Sequence, residues 1–209
     1  MSPRVLRFDV EFLTRYAVAQ TAVIPGSALK GMMLDAARDL GLGGRYWPLL
    51  RAVFGGHKED VAGAKENDYE GGTSLTEGPT VPSPWSWSDM AWSGGKGPAR
   101  ERRSRIRINP DTGTADDGAL VAVNEFLIRK GTFAISQIGP IPDPLDTLEL
   151  EAEAHVTVLE AAARTMTALG ADRRRGLGWV AVTRAGKPTT PEQLAEALDG
   201  LQTQDKVQS

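Results

Sequence analysis

The 209-residue chain contains no cysteine, which excludes disulfides, thiolate metal sites and cysteine nucleophiles. No apolar run approaches the roughly 20 residues that a membrane span needs, so no membrane association is expected. The opening Met1-Ser2-Pro3-Arg4 leads straight into strand-like alternation. It lacks the apolar stretch of a signal peptide, and a cytoplasmic location is the expectation. A general basic excess is missing too: 24 Lys and Arg stand against 27 Asp and Glu, for a net charge of −3. That balance argues against an all-over nucleic-acid coat, although phosphate binding needs only a local basic stripe. Histidine is scarce, at two residues, His57 and His155. No internal repeat is visible. What remains, 41% hydrophobic and 24% charged residues, is ordinary for a globular protein of a length that buries a proper core.

The charge is polarised. Between Lys96 and Ile108 stand Lys96, Arg100, Arg102, Arg103, Arg105 and Arg107 against the single acid Glu101. Arg173, Arg174 and Arg175 form a second cationic run, with Asp172 beside them, while acids gather at 59–70 and 143–153.

Residues 4–16 alternate as a strand does, through Val5, Phe8, Val10 and Phe12. Pro25-Gly26 reads as a turn, with Ser27 as the N-cap of a helix carrying Leu29, Met32, Met33, Ala36 and Ala37 at helical spacing and ending near 41–44. A short helical piece over 46–54 closes at Gly55-Gly56. Residues 57–84 show little periodicity, and a stretch of that length is normally functional or disordered. Residues 85–92 read as one strand. Residues 103–108 and 119–127 read as a hairpin around Asn109-Pro110-Asp111-Thr112-Gly113, whose turn chemistry is right. A strand through Phe133, Ile135 and Ile138, a helix over 150–169, a strand at 179–182 and a helix over 191–201 complete the chain, with the last eight residues frayed. The order predicts an α+β protein, a modified ferredoxin-like (RRM-like) βαββαβ core with an extended basic hairpin and a long inserted loop. We expect one domain over 1–190, with the insertion at 57–84 and the hairpin region at 100–127. Residues 191–209 then form a C-terminal helix and tail.

Four segments could carry chemistry, and each has a plainer reading. Pro25-Gly26 admits close approach of a ligand to the backbone. Ser27 opens a helix whose free N–H groups favour anions, and Lys30 lies on its first turn beside Gly31. The plainer reading is a capped helix with a solvated lysine. Arg173–Arg175, between Gly170 and Gly176/Gly178, suits a sugar-phosphate backbone because arginine supplies forked donors. It equally fits a solvated turn at a helix C-terminus. Arg103, Arg105 and Arg107 alternate with Ser104, Ile106 and Ile108, giving one cationic strand face or a charge-protected edge. Trp85, Trp87 and Trp92 could stack bases or belong to a core.

The segments also match a family. Ile24-Pro25-Gly26-Ser27-Ala28-Leu29-Lys30-Gly31 resembles the IPGSSLKG helix start of the RAMP superfamily of CRISPR-associated proteins. Residues 105–120, Arg105 through Asn109, Gly113 and Leu120, resemble a segment typical of backbone subunits in type III (Csm/Cmr) effector complexes. Residues 170–178 are similar to that superfamily's C-terminal glycine-rich loop, and Ser88-Asp89-Met90-Ala91 to the strand that precedes its basic hairpin. The four matches fall in the family's order and span most of residues 5–182. The resemblance implies a guide-RNA-binding subunit of a multisubunit CRISPR ribonucleoprotein serving antiviral or anti-plasmid defence. Its partners would be the guide (crRNA), the paired target nucleic acid, copies of itself and other CRISPR-associated subunits, with no cofactor or metal. The hairpin would act as a thumb on the guide. Carried onto matching positions, the RNA-facing residues are Ser27, Lys30, Arg103, Arg105, Arg107, Arg173, Arg174, Arg175 and Gly176.

One departure is large. Type III backbone subunits carry a target-cutting aspartate on a long loop before this helix. Here the connection is about 14–23, with no acid between Glu11 and Asp35. A metal-dependent cut needs a carboxylate at the scissile phosphate, so a non-cleaving subunit, of type IV or a diverged type III, is expected. The alternatives are a single-copy subunit capping the complex and a guide-precursor ribonuclease using His57 or His155. A third is a protein–protein module built on residues 85–92 and 59–70.

Overall fold

The computed structural model describes residues 4–17, 23–42, 47–57, 80–93, 99–106, 108–115, 121–141, 152–171, 173–186 and 189–204. Strand β1, Val5–Phe12, turns Leu6, Phe8, Val10 and Phe12 inward and leaves Arg7, Asp9 and Glu11 exposed. That is the two-residue period of a half-buried strand. After a bend the chain forms β2, Tyr16–Ala17. Helix α1, Gly26–Ala37, continues into a π-helical turn at Arg38–Leu42. Helix α2, Trp47–Phe54, closes at Gly55, where a φ of 75° suits glycine. Short strands β3, Gly56–His57, and β4, Thr80–Val81, pair with each other. His57 therefore sits at the neck of the long insertion, whose residues 58–79 lie outside the described ones.

Residues 85–92, expected as one strand, form two: β5, Trp85–Trp87, and β6, Ala91–Trp92. Both run antiparallel to a later strand, paired as Trp87↔Ile135 and Ala91↔Thr132. The one-residue change of register marks a bulge. There Ser88 donates its N–H to the Ala134 carbonyl at 2.9 Å and accepts the Ala134 N–H on Oγ at 3.0 Å. A two-stranded ribbon follows, β7 at Ala99–Arg105 and β8 at Val121–Leu127, paired from Ala99↔Leu127 to Arg105↔Val121. Its tip is held by Asn109, whose Oδ1 accepts the Asp111 N–H at 2.9 Å, with Gly113 at φ 67°.

Strand β9, Lys130–Gln137, and helix α3, Ala152–Thr165, come next. The helix is shorter than its apolar spacing predicts, because Ala168 leaves it to bridge Trp179. Strand β10, Val180–Arg184, and helix α4, Pro191–Gln204, end the described chain. Thr190 and Gln193 close a capping box at its start, with N–H···O distances of 2.9 and 3.3 Å. The tail expected to fray is helical as far as Gln204.

The main sheet is antiparallel in the order β10-β1-β9-β5, with β6 also on β9, and a second sheet runs β2-β8-β7. One face of the main sheet is packed by Phe8, Val10, Phe133, Ile135 and Val182 against Leu29 and Met33 of α1 and Val158 and Leu159 of α3. Phe12, Tyr16, Trp92 and Phe126 meet with ring centroids 5.0–5.8 Å apart. That aromatic cluster ties the ribbon to the main sheet and sets where the ribbon leaves it.

Candidate nucleic-acid interface

Arg173–Arg175 form one 3₁₀ turn, and all three side chains are exposed. The loop bearing them is closed at its neck by hydrogen bonds from Leu169 N–H to Gly178 O (2.7 Å) and Val180 N–H to Thr167 O (2.9 Å). It is also sewn to the corner between β1 and β2: Ala171 N–H donates to Ala17 O at 2.7 Å, and Leu13 N–H to Trp179 O at 2.8 Å. Two of its glycines are there for packing. A Cβ on Gly178 (φ 72°) would fall 1.9 Å from Leu169 O, and one on Gly170 (φ 91°) 2.6 Å from Ala17 O. Gly176, at φ 77°, faces open space.

This pinning sets the arginine turn beside the base of the ribbon. Arg175 shares an open cleft of about 560 Å³ with Arg15, Arg103 and Glu125. Glu125 is 4% exposed. Its Oε2 lies 3.1 Å from Arg103 Nε and 4.0 Å from an Arg15 guanidinium nitrogen. Arg15 also pairs with Glu101, and Arg103 reaches the same Glu101 at 3.8 Å. One buried and one exposed carboxylate thus fix the directions of two arginines, which holds forked donors in place before any anion arrives. Of the other ribbon residues singled out from sequence, Arg105 lies on β7 with its side chain outside the described residues, and Arg107 lies wholly outside them.

The Ile24–Gly31 segment is built differently from its sequence reading. Ser27 does not cap α1. The N-cap is Pro25, with no side-chain bond of its own, and the Gly26 N–H is taken by Asp89 Oδ1 at 2.8 Å. Gly26 is required by packing rather than by a ligand, since a Cβ there would lie 2.2 Å from the Trp87 carbonyl oxygen. Gly31 borders open space. Lys30 places Nζ 5.4 Å from the Trp87 ring centroid, a cation–π contact, and burial pulls its pKa down. Ser27 is exposed. The arginine turn meets α1 at its other end: Arg173 and Arg174 share a cleft with Asp35, Ala36 and Asp39. About 14 Å of helix separate Ser27 from Ala36. The structure therefore brings Arg103 and Arg175 together and leaves Ser27 and Lys30 apart from them.

The three tryptophans weighed for base stacking belong to the core. Trp85 is buried and donates Nε1–H to His155 Nδ1 at 3.1 Å. Trp87 stacks on Phe54 at 5.7 Å, and Trp92 packs in the aromatic cluster. His155 is fully buried, and burial lowers its pKa from 6.5 to about 4, so it stays neutral and structural at pH 7. Among the described side chains the exposed indole is that of Trp179, at 54%, which in sequence looks like an ordinary strand residue. Arg15 and Glu125 carry no sequence signal either. Arg15 lies far from both basic runs, and Glu125 looks like one solvated acid in an alternating strand.

The comparisons agree with this architecture. The family model described as the RAMP superfamily matches residues 9–181, and the chain belongs to that superfamily. A chain of a structure described as a type IV-B CRISPR complex is similar in fold, with TM-score 0.54 at 14% identity over 90% of this chain and 94% of that one. A chain of the type III-B Cmr-beta complex in its apo state gives 0.53 at 11% identity, covering 88% and 98%. Another, from Cmr-beta bound to cognate target RNA, gives 0.50 at 10% identity, covering 85% and 58%. No curated protein sequence matches the chain.

Proposed function

We propose that this chain is a non-catalytic guide-RNA-binding backbone subunit of a multisubunit CRISPR effector ribonucleoprotein. The observation that carries the reading is the meeting of the exposed Arg173–Arg175 turn with Arg15 and Arg103 at the base of the ribbon. Three guanidinium groups, those of Arg15, Arg103 and Arg175, meet there around Glu125, with Arg173 and Arg174 exposed on the same turn, in a molecule whose net charge is −3. The strand order β10-β1-β9-β5 with α1 and α3 on one face fits a ferredoxin-like βαββαβ core, and the β7–β8 ribbon fits a thumb laid along the guide. Membership of the RAMP superfamily and likeness to chains of type IV-B and type III-B complexes support placement in such a particle, beside copies of itself and other subunits. In this reading Ser27, Lys30, Arg105, Arg107 and Gly176 also face RNA, and the paired target lies against the guide.

Binding is electrostatic in origin, so its salt dependence tests it. Fluorescence anisotropy with a labelled single-stranded RNA should show the Arg173/Arg174/Arg175→Ala variant at least tenfold weaker. Its slope of log affinity against log salt should be shallower by about 2, at roughly 0.7 per phosphate contact on single strands. Equal affinity and equal slope in wild type and variant would overturn the reading.

A further inference from the structure

The cleft on the far side of the arginine turn combines apolar, aromatic and charged residues of both signs. It encloses about 690 Å³, within the roughly 300–1,000 Å³ of small-molecule sites. Met166 and Val180 are buried beneath it, and Trp179 and Leu13 stand at its mouth, 54% and 61% exposed. Its charged lining is Arg173 and Arg174 from the turn and Asp35 and Asp39 from α1 and its π-helical extension, with Asp35 Oδ1 3.7 Å from an Arg38 guanidinium nitrogen. The backbone that carries the indole is held in place, since the Trp179 N–H donates to Thr14 Oγ1 at 2.9 Å and its carbonyl accepts from Leu13 at 2.8 Å.

A large exposed aromatic gains nothing from folding, and a ring on a held backbone has only its two side-chain torsions to lose on stacking. Two carboxylates and two arginines around one apolar floor give the cleft groups of both signs. The carboxylates accept hydrogen-bond donors, the indole accepts a flat ring, and the guanidinium groups accept a phosphate. A nucleotide offers all three, and the carboxylates would repel a phosphate placed against them. Ionised carboxylates only accept hydrogen bonds. Guanine is the base that offers one of them two adjacent donors, its ring N1–H and its exocyclic amine.

The geometry points to a subsite in which one unpaired guanine of the bound RNA stacks on Trp179, presents its donor edge to Asp35 or Asp39, and leaves its phosphate on Arg173 and Arg174. This rests on the proposed RNA binding and adds base selectivity to it.

The test uses the full chain and labelled uridine oligonucleotides carrying one central G, A, C or U. Wild type should bind the G oligonucleotide at least about fivefold more tightly than the U oligonucleotide, the lower end of base–aromatic stacking. Trp179→Ala should remove that preference without changing the salt slope, and Trp179→Tyr should keep most of it. The pair Asp35→Asn and Asp39→Asn should erase the preference while leaving binding to all-uridine RNA equal or stronger, since negative charge is lost. Because both sets leave the core untouched, unchanged melting temperatures will certify folding. Four equal affinities in wild type, or a preference that survives in Trp179→Ala, would overturn the subsite and leave the RNA-binding reading intact. Failure of wild type to bind any oligonucleotide would overturn both. A Trp179→Ala variant whose only change is weaker self-association of the RNA-free protein would reassign the face to a contact between copies, and would also overturn it.

Discussion

At the scale of single residues, His155 shows how much depends on surroundings. His155 accepts a hydrogen bond on Nδ1 from Trp85, so the neutral ring carries its proton on Nε2, and a second proton would have to displace the indole N–H. With the folded pKa near 4 against an unfolded 6.5, the unfolded chain takes up a proton in that window that the folded chain refuses. Stability contributed by this group is fully present above pH 6.5 and is lost as pH falls toward 4, by about 3 kcal/mol. Urea titrations of wild type and His155→Leu should therefore converge between pH 7 and 4.5. A gap that stays constant would mean that His155 is not titrating as described. The sequence could say only that a lone histidine on a helix is more often structural. It had no means of ranking five tryptophans, because burial depends on which strand edge and which helix meet, and Trp85 and Trp179 look alike in local pattern.

At the scale of elements, glycine spacing in the arginine loop separates two demands that one-dimensional reading merges. Gly178 allows two backbones to touch, whereas Gly176 only supplies a left-handed turn in open space. Gly176→Ala should cost about 1–2 kcal/mol, the strain of a left-handed alanine. Gly178→Ala adds a Cβ 1.9 Å from Leu169 O and should cost well beyond that, enough to open the loop. Thermal melts of the two variants check the ordering, and equal losses would refute the distinction. Much at this level was legible. The alternation of β1, the Asn109–Gly113 turn and the amphipathic helices all follow from local chemistry. The misreadings have a common physical source. The cap of α1, the bulge at Ser88 and the early end of α3 each depend on a partner distant in sequence, namely Asp89, Ala134 and Trp179.

At the scale of the molecule, the ribbon is nearly independent of the core. Among the described side chains of β7 and β8, only Phe126 belongs to the buried hydrophobic cluster, and the pairing of β2 with β8 is two residues long. Replacing 104–122 by a tight glycine turn should shift the melting temperature by only a few degrees, because none of the described side chains of that stretch is buried. If the ribbon is a thumb on the guide, the same change should weaken RNA binding at least tenfold. Melting and anisotropy on one preparation check both halves, and a ribbon deletion that binds RNA normally would exclude a thumb role. The division of the chain into a cationic side and acidic segments is plain in the sequence. Which cations meet is not, since Arg15 joins them only through the closure of β2 on β8.

The bond from Gly26 N–H to Asp89 spans 63 residues, and it has a consequence for synthesis. When the Ile24–Gly31 helix start leaves the ribosome, the acid that will hold it does not yet exist. At about 5–20 residues per second, the wait is roughly 3–13 s. The segment that resembles the RAMP helix start is thus completed late, after the strands that begin at Trp85 have emerged to receive it.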